Sequence, residues 1–463
     1  MPERITPRVG LLPLILELYD EHLPELRTKQ QVLVSGVQEA MSPFCSVSAA
    51  GISNSEAEVC AAVERFEADG CDAVVVLFVA YAPSLIAAEA LVKTPLPVVI
   101  FNTQVSRWLD RTNIAEAMLR NHGMHGVQDL ASVMLRAGKA PHIVTGHFRS
   151  EEALAELEGW LRACALRRYL GGATVGIMGG PFEGMGDFQF DEGRLLDGLG
   201  VRVAAIDQAE VAARAASFPA AEIEAAVKGL AESFTLDERL TEEELAASEA
   251  LSAGVLGVLA EAGHCAWSMN FLDVGRDDVL RTVPFLAASR SMQQGYGYAG
   301  EGDAMGALAV FIAQQLAPPA TFTEMFSMDP ATGTVLMSHM GEGNYEMAAG
   351  PVHLVRKEFL FGDVLAPAAP VFAFRAGEAT LVNLIDGPAG LRLIAVEVTM
   401  EPWEANLDLD CPQGFMRPGM ELGRFLTAYS ELGGSHHLAL CYGRHASRVA
   451  NFATLCGLEC FRL

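Results

Sequence analysis

Five side chains in the second half of the sequence could bind a divalent cation: Glu301, Glu324, His339, His436 and His437. Each lies among apolar or small neighbours, where an isolated charge would be costly to bury. Two carboxylates with two imidazoles form a mixed ligand set that suits Mn²⁺, Co²⁺ or Mg²⁺, whereas structural Zn²⁺ sites are usually richer in cysteine. The spacing along the chain is not diagnostic, so this pattern alone leaves open both a metal site and ordinary capping or core roles.

Two glycine-rich segments precede the candidate metal ligands along the chain. The letters GYGYAG, from Gly295 to Gly300, match the dinucleotide-binding pattern GxGxxG. That pattern requires a strand immediately before it, but the preceding run PFLAASRSMQQ predicts a helix, so we reject a dinucleotide site. The run GGPFEGMGD from Gly179 lacks the Lys-Ser/Thr ending of a P-loop. We expect it to be a tight loop at the carboxyl end of a sheet, where open α/β folds bind ligands.

Charge and composition narrow the classes of partner. The formal net charge of −26 would repel a phosphate backbone, so nucleic acid is not expected as a partner. Apolar runs such as residues 73–80 are much shorter than the roughly 20 residues that cross a membrane, and the first ten residues contain no signal-peptide apolar region. Nine cysteines without CxxC pairs fit reduced thiols. These features predict a cytoplasmic protein that acts on a small molecule and contacts no membrane.

The elements that would position these residues follow from the periodicity. Five β-branched runs alternate with amphipathic segments, which predicts a parallel sheet with helices on both faces; the runs are VGLLPLI, SVSAAG, DAVVVLFV, PVVIFNT and HIVTGHF. A helix is predicted from Ser55, an N-cap signal, to Gly70. A second α/β set begins near Ala173 with ATVGIMGG and continues with VRVAAID and CAWSMNF. It includes a helical stretch over 220–263 that is interrupted near 234–235.

Beyond residue 318 the pattern changes to strands separated by turn residues. The run from Val371 to Val398 contains Gly-Glu and Asp-Gly-Pro-Ala-Gly turns, which predict antiparallel hairpins. We therefore expect a β-barrel or sandwich that ends with a helix around 422–432, a strand at HHLALCYG, and a short final helix and strand. At about 100 to 200 residues per domain, the 463 residues predict three domains, at 1–170, 171–318 and 319–463.

Four segments around the candidate ligands resemble motifs of the L-arabinose isomerase family. They are RSMQQGYGYAGEGD at 290–303, FTEMF around Glu324, LMSHMGE around His339 and GGSHHLAL ending at Leu440. They occur in the family's order, and weaker likeness extends over almost the whole chain. The resemblance implies two Rossmann-like, flavodoxin-like doubly wound α/β domains followed by an antiparallel β-barrel domain. It also implies a homo-oligomer of trimers paired into hexamers, with active sites between neighbouring subunits.

The resemblance also implies roles for individual residues. Matched by position, Glu301, Glu324, His339 and His437 bind the metal, Mn²⁺ or else Co²⁺ or Mg²⁺, and the two glutamates are the acid–base pair. Such an aldose–ketose isomerase moves a proton between adjacent carbons of a monosaccharide through a cis-enediol. We prefer Glu324 as the carbon base with Glu301 as its partner, although the sequence does not order them. Alternation along a strand should aim only one ring of the histidine pair at the metal, and the resemblance selects His437.

Six residues match the family's substrate wall and are the candidate sugar contacts: Leu18, Tyr19, Tyr81, His125, Met185 and Phe271. For the last two, core packing is an equally good explanation. Several residues expected from the family, most of them polar, are replaced here by Leu16-Glu17, His122, Ala304-Met305 and Met325-Phe326. Each lost hydrogen bond would cost about 1 to 3 kcal/mol with the usual substrate, so we expect a sugar other than arabinose. An epimerase that uses the same metal site and a metal-dependent sugar-binding protein without turnover remain as alternatives.

Overall fold

The computed structural model describes residues 4–187, 189–276 and 279–463, with the backbone alone at residues 275 and 276. Contacts divide the chain into two compact units. One comprises residues 5–168, and the other comprises residues 169–463 together with Arg4. The second α/β region and the β-rich region predicted beyond residue 318 therefore belong to one unit.

Five parallel strands form the sheet of the unit at 5–168, as the five β-branched runs predicted. They are β1 Arg8–Leu14, β2 Ser46–Ala49, β3 Ala73–Phe78, β4 Val98–Asn102 and β5 His142–Thr145. Their spatial order is β2-β1-β3-β4-β5, the flavodoxin-like doubly wound order. All residues of β3 are buried, because a central strand covered by helices on both faces meets no solvent. The strand order reverses between β1 and β3, which is where such folds bind ligands.

The helices described in this unit are α1 Glu17–His22, α2 Pro24–Met41, α3 Glu56–Ala68, α4 Leu85–Lys93, α5 Ile114–Arg120, α6 Met124–Arg136 and α7 Glu151–Leu170. In α3, buried Val59, Val63 and Phe66 recur at three- to four-residue spacing, which is the pattern of a helix with one face in the core. Ser55 occupies the N-cap as predicted, although its side chain makes no capping hydrogen bond. Gly70 has a φ of 68° just beyond the helix, as a C-terminal glycine should.

The second unit begins with another α/β region, whose strands are β6 Thr174–Met178, β7 Arg202–Ala205, β8 Thr235–Leu236, β9 His264–Met269 and β10 Gly297–Gly300. All except β8 form one parallel sheet in the order β10-β9-β6-β7. Three of these four strands were predicted from their apolar runs. The fourth, β10, was missed because it lies inside the glycine-rich segment, where small residues show no apolar alternation.

The helices described in this region are α8 Glu192–Leu199, α9 Gln208–Ser217, α10 Ala220–Ser233, α11 Glu242–Ala262, α12 Phe271–Arg276, α13 Phe285–Gln293 and α14 Ala304–Leu316. The predicted stretch over 220–263 is the pair α10 and α11, and β8 lies at the interruption. Helix α13 precedes the glycine-rich segment as predicted, so this segment is not the first turn of a βαβ unit. By length and composition α11 could cross a membrane, but 56% of its apolar stretch is buried inside the protein, against helices that include α9 and α13.

The remaining strands are β11 Ala320–Asp329, β12 Thr334–Ser338, β13 His353–Arg356, β14 Ala368–Val371, β15 Gly377–Gly387, β16 Gly390–Met400, β17 Gln413–Pro418, β18 His437–Tyr442 and β19 Glu459–Arg462. Six of them close an antiparallel barrel in the order β15-β18-β11-β12-β17-β16, since β16 pairs back onto β15. Strand β19 adds to β16 in parallel. The predicted C-terminal helices are present as α15 Leu422–Glu431 and α16 Ala446–Cys456. The expected antiparallel barrel is confirmed.

One of the two predicted hairpins is wrong. Strands β15 and β16 pair from Gly377 and Met400 to Gly387 and Gly390, so the Asp-Gly-Pro-Ala-Gly turn does form a hairpin. The strand before Gly377 does not fold back onto β15. Its first residue, Val371, ends β14, which pairs with β13 in a separate three-stranded sheet with β8, and its residues Ala373 and Phe374 form only isolated bridges. All residues of β14 are buried, so packing in the core and not the local Gly-Glu turn selects its partner.

Helix α14 lies between the central sheet and the barrel. All 13 of its residues are buried, as expected for a helix that is apolar on every side. It packs against β9 and β10 of the sheet and against β15 and β18 of the barrel. Because α14 follows β10 after a turn of three residues, that turn lies beside the barrel strand that begins at His437.

Candidate metal centre

The barrel register places two candidate ligands side by side. Glu324 in β11 lies opposite His437 of β18 on one side and opposite Ser338 of β12 on the other. His339 follows Ser338 directly, and Glu301 follows the last residue of β10. The candidate ligands therefore lie within four different strands or directly after them, and the pairing and packing of these strands set their positions.

The candidate ligand atoms form two overlapping groups, each compact enough to hold a cation. One ligand atom from each of Glu301, His339 and His437 lies within 4.8 Å of the others, and Glu324, His436 and His437 form a second group of this kind. His437 belongs to both groups, since its Nε2 lies 3.5 Å from Oε2 of Glu301 and 3.9 Å from Oε2 of Glu324. The structure thus places the four predicted ligands in two groups that share His437, with Glu301 and His339 in one and Glu324 in the other.

Two further carboxylates orient the imidazoles. Nδ1 of His437 lies 3.1 Å from Oδ2 of Asp303, and Nδ1 of His339 lies 3.2 Å from Oε1 of Glu342. When Nδ1 of His437 donates to Asp303, its Nε2 atom keeps its lone pair for a cation. Nδ1 of His339 makes no hydrogen bond among the described residues, and Glu342 faces it as a charge partner. Two carboxylates, two oriented imidazoles and buried surroundings are a donor set that fits a divalent metal ion. Asp303 and Glu342 were not predicted as site residues, although each lies in a segment that carries the family resemblance.

The electrostatics of this cluster favour positive charge. Burial acts to lower the pKa of His437, but the hydrogen bonds to Asp303 and Glu301 and the charges of these carboxylates raise its pKa to about 9. Burial acts to raise the pKa of Glu301, but the hydrogen bond from His437 and the neighbouring imidazoles His339 and His436 lower that pKa overall. The carboxylates thus stabilise positive charge in this cluster, either as the proton on His437 or as a metal cation that replaces that proton.

The backbone around Glu301 is strained in a way that aims its side chain. Glu301 has a φ of 63°, in the left-handed region that costs a non-glycine residue roughly 1 to 3 kcal/mol. The turn is held because the Phe182 N–H donates to the Glu301 carbonyl at 2.9 Å and the Gly302 N–H donates to the Met269 carbonyl at 3.1 Å. A Cβ at Gly302 would lie 2.4 Å from the Gly180 carbonyl oxygen, so only glycine fits there. The loop after β6, predicted as a tight ligand-side loop, thus braces Glu301.

Gly300 leaves the space that the His339 ring occupies, and an alanine there should disturb the site. A Cβ at position 300 would lie 2.7 Å from Cε1 of His339. We expect Gly300→Ala to lower the free energy of unfolding by about 1 to 3 kcal/mol, as overpacking of a core does, and to weaken Mn²⁺ binding. Thermal unfolding and metal titration measure the two effects. Gly229→Ala is the control, since a Cβ there meets nothing within 4 Å; equal behaviour of the two variants would contradict the prediction.

The histidine pair differs from the expected strand geometry. Strand β18 begins at His437, so alternation does not apply to His436, which precedes it. The centroids of the two rings lie 4.3 Å apart. Both rings approach Glu324, and Nε2 of His436 lies 3.9 Å from its Oε2. Nδ1 of His436 lies 2.7 Å from Oδ2 of Asp187. Asp187 closes the glycine-rich run after β6, and no signal in its own segment identified this contact.

Two of the candidate sugar contacts lie in the same unit as the metal-ligand candidates. Phe271 packs in an aromatic cluster, with ring centroids 5.9 Å from Phe182 and 5.5 Å from Phe361. Met185 is half-buried, and its N–H donates to the Phe182 carbonyl at 3.3 Å. Packing contacts therefore account for Phe271, and the loop that carries Met185 is the one that braces Glu301.

The other four candidate sugar contacts lie in the unit at 5–168. The Tyr19 hydroxyl is 3.3 Å from Nδ1 of His122, whose Nε2 is 2.7 Å from Nδ1 of His125, and the Tyr81 ring centroid is 5.7 Å from that of His122. Leu18 is 53% exposed. Burial, and then the neighbouring Tyr81, raises the pKa of Tyr19, while burial and His125 lower the pKa of His122. The structure groups Tyr19, Tyr81 and His125 around His122, beyond the carboxyl ends of β1 and β3.

Fold and site together define a class of protein. It combines doubly wound α/β sheets with a six-stranded antiparallel barrel, and it carries a carboxylate–imidazole cluster that can hold a divalent cation and transfer protons. Sequence models of three L-arabinose isomerase domains match the chain: the N-terminal domain at 16–169, the central domain at 196–317 and the C-terminal domain at 319–459.

Relatives with the same description cover most of the chain. An L-arabinose isomerase of Nocardioides sp. is 26% identical over 404 residues, which is 84% of this chain and 80% of that protein. The enzyme of Acidothermus cellulolyticus is 25% identical over 86% of this chain and 81% of its own length, and that of Aeromonas salmonicida is 27% identical over 84% and 80%. The chain belongs to the L-arabinose isomerase family. It is accordingly an aldose–ketose isomerase, an intramolecular oxidoreductase.

Proposed function

We propose that this isomerase is metal-dependent, with Glu301, Glu324, His339 and His437 holding Mn²⁺, or else Co²⁺ or Mg²⁺, and that it interconverts a free monosaccharide through a cis-enediol. One observation carries the proposal. Ligand atoms of Glu301, His339 and His437 lie within 4.8 Å of one another, and a carboxylate faces Nδ1 of each imidazole, Asp303 through a hydrogen bond to His437 and Glu342 at 3.2 Å from His339. The names of the relatives support a sugar substrate.

The two glutamates would divide the proton transfers. We assign to Glu324 the removal of the proton from C2 and its return to C1, because its side chain is 16% exposed and so can be reached from outside the cluster. Glu301, which receives the His437 hydrogen bond, would carry the hydroxyl proton between the two oxygens. A divalent cation bound to this donor set supplies charge stabilisation for the oxygens as negative charge develops.

The residues that depart from the family support a sugar other than arabinose. Ala304 and Met305 are buried in α14, so these two positions offer no polar side chain. Phe326 is an exposed apolar residue two positions after Glu324. A substrate with fewer or differently placed hydroxyls, such as a deoxy sugar or another pentose, would lose fewer hydrogen bonds in this site.

The assembly and its setting are part of the same proposal. We place domain boundaries at 1–170, 171–318 and 319–463, and we propose a cytoplasmic homo-oligomer, trimer or hexamer, with active sites between neighbouring subunits. These features are supported by the resemblance and by the net charge of −26, which favours solubility. Light scattering of the purified chain, with and without Mn²⁺, measures the subunit number.

Asp303→Asn should weaken metal binding without unfolding the protein. One oxygen of Asp303 accepts from the Gly306 N–H at 2.8 Å and the other faces Nδ1 of His437. An amide has one oxygen for these two donors, so its NH₂ group would oppose one of them and disfavour the productive tautomer of His437. We expect the dissociation constant for Mn²⁺ to rise about 10- to 100-fold, measured by calorimetric titration. The control is Asp207→Asn, the same change at the N-cap of α9, which should leave the Mn²⁺ dissociation constant unaltered. An unchanged dissociation constant in Asp303→Asn would show that Asp303 does not support the metal site.

Product analysis tests the proposed reaction. The purified chain is loaded with Mn²⁺ and incubated with aldopentoses, aldohexoses and deoxy sugars, and the products are separated as ketose, epimer or unchanged aldose. A ketose from one of these sugars, lost on chelation and restored by Mn²⁺, is the expected result. A C2 epimer would assign the cluster to epimerisation, and tight metal and sugar binding without any product would indicate a binding protein.

A further inference from the structure

A buried tyrosine hydroxyl contacts the carboxylate that orients His339. Tyr298 is fully buried, and its hydroxyl donates to Oε1 of Glu342 at 2.9 Å. The same Oε1 lies 3.2 Å from Nδ1 of His339. Oε2 of Glu342 has no hydrogen-bond partner among the residues that the structure describes. Tyr298 and His339 are thus the two groups that hold this carboxylate, which is itself 2% exposed.

The strand that carries Tyr298 explains this geometry. In β10, side chains alternate between the two faces, so positions 298 and 300 share one face. Gly300 has no side chain on that face, and a Cβ there would lie 3.3 Å from Oε1 of Glu342. The Tyr298 ring is held by Trp267 at 4.9 Å and by Phe322 at 5.8 Å, so packing directs its hydroxyl.

The hydroxyl is a permanent donor. Burial, and then the charge of Glu342, raises the pKa of Tyr298 well above its usual value, so the phenol keeps its proton throughout the range in which enzymes work. A buried carboxylate oxygen that accepts a hydrogen bond and also lies 3.2 Å from an imidazole nitrogen is both stabilised as an anion and fixed in direction. Removing the hydrogen bond from Tyr298 frees the carboxylate to rotate and alters its contact with His339.

We propose that Tyr298 is a positioning residue of the metal centre, which acts through Glu342 to fix the direction and the basicity of the His339 ring. The inference rests on the proposed metal site. It adds to that site a hydroxyl behind the supporting carboxylate, in the order Tyr298–Glu342–His339. This arrangement requires a hydroxyl at position 298, and phenylalanine would fill the same space without that hydroxyl. The ligand concerned is a divalent cation at Nε2 of His339.

Tyr298→Phe isolates the hydroxyl, and metal titration of the metal-free full-length chain is the readout. Partners that contact a metal ligand directly change affinity about 10- to 100-fold, so we expect a rise of about 3- to 10-fold in the Mn²⁺ dissociation constant for this more remote group. The visible spectrum of the Co²⁺-loaded variant should also shift, because it reports ligand geometry. Tyr296→Phe is the matched control: that tyrosine is buried too, and among the described residues its hydroxyl bonds to no carboxylate.

A double-variant cycle distinguishes an effect of Tyr298 through Glu342 from a general packing effect. If Tyr298 acts through Glu342, the effect of Tyr298→Phe should shrink to less than about twofold in a Glu342→Gln background. The same fold-change in both backgrounds would overturn the role of Tyr298. So would an unchanged Mn²⁺ affinity in Tyr298→Phe when the unaltered chain binds Mn²⁺ saturably. Either result leaves the proposed function standing. Absence of saturable binding of Mn²⁺ or Co²⁺ by the unaltered chain would instead contradict the proposed function, and the inference with it.

Discussion

Glu324→Gln is expected to lower kcat by about 10²- to 10⁴-fold while the protein remains folded. The amide keeps the shape of the side chain but cannot accept the proton from C2. Glu324 sits in a barrel strand paired on both sides, and its carboxylate lies 3.9 Å from Nε2 of both His436 and His437. The substitution therefore removes a base and one charged ligand without creating a cavity. The measurement is the rate of ketose formation at saturating Mn²⁺, beside thermal unfolding of the same preparation.

A matched substitution controls for loss of charge. Glu378→Gln makes the same change on barrel strand β15, where Glu378 is exposed and pairs with Arg444. That variant should keep its activity. Full activity in Glu324→Gln would remove Glu324 from the mechanism and leave Glu301 as the candidate base. Inactivity of both variants would show that the assay responds to the fold and not to the site.

His437→Ala is expected to weaken Mn²⁺ binding on the order of 100-fold or more, at least as much as the loss of an outer-shell partner. His437 is fully buried and belongs to both groups of ligand atoms, so no described neighbour can take its place without moving. Its removal also leaves Asp303 without the imidazole that it faces. Calorimetric titration of the metal-free chain gives the dissociation constant.

His436→Ala is the comparison that decides between the two histidines. His436 contacts Asp187 and approaches Glu324, but the three-residue group with Glu301 and His339 does not include it. Its removal should cost less affinity than the removal of His437. A larger loss in His436→Ala would place the cation in the second group, among Glu324, His436 and His437.

The sequence predicted the elements that show strong periodicity. The five strands of the first sheet, three strands of the second and the hairpin of β15 and β16 all carry apolar alternation or a distinctive turn. Strand β10 could not be predicted in this way, because glycine and alanine at three of its four positions give no pattern. The run from Val371 was assigned to a hairpin with β15, whereas Val371 ends β14, which pairs with β13 in the core.

The site shows a similar division between ligands and their supports. The resemblance identified the four candidate ligands, and the structure places them in two groups that share His437. The supporting contacts join distant segments: Asp303 and His437 are 134 residues apart, and Asp187 and His436 are 249 residues apart. Such pairs depend on how the central sheet meets the barrel, so residue type and local spacing do not reveal them. The same limit applies to His436, whose ring direction depends on where β18 begins.

Hydrogen exchange in D₂O tests the proposed metal-dependent isomerisation most directly. The metal-free chain is loaded with Mn²⁺, incubated with each aldose of a panel, and followed by NMR for deuterium at C1 and C2. We predict that one sugar is converted to its ketose with solvent deuterium at the carbon that receives the proton, that chelation stops this exchange, and that Glu324→Gln abolishes it. Ketose formation that continues in the chelated protein, or no exchange with any sugar despite saturable Mn²⁺ binding, would contradict a metal-dependent enediol isomerase.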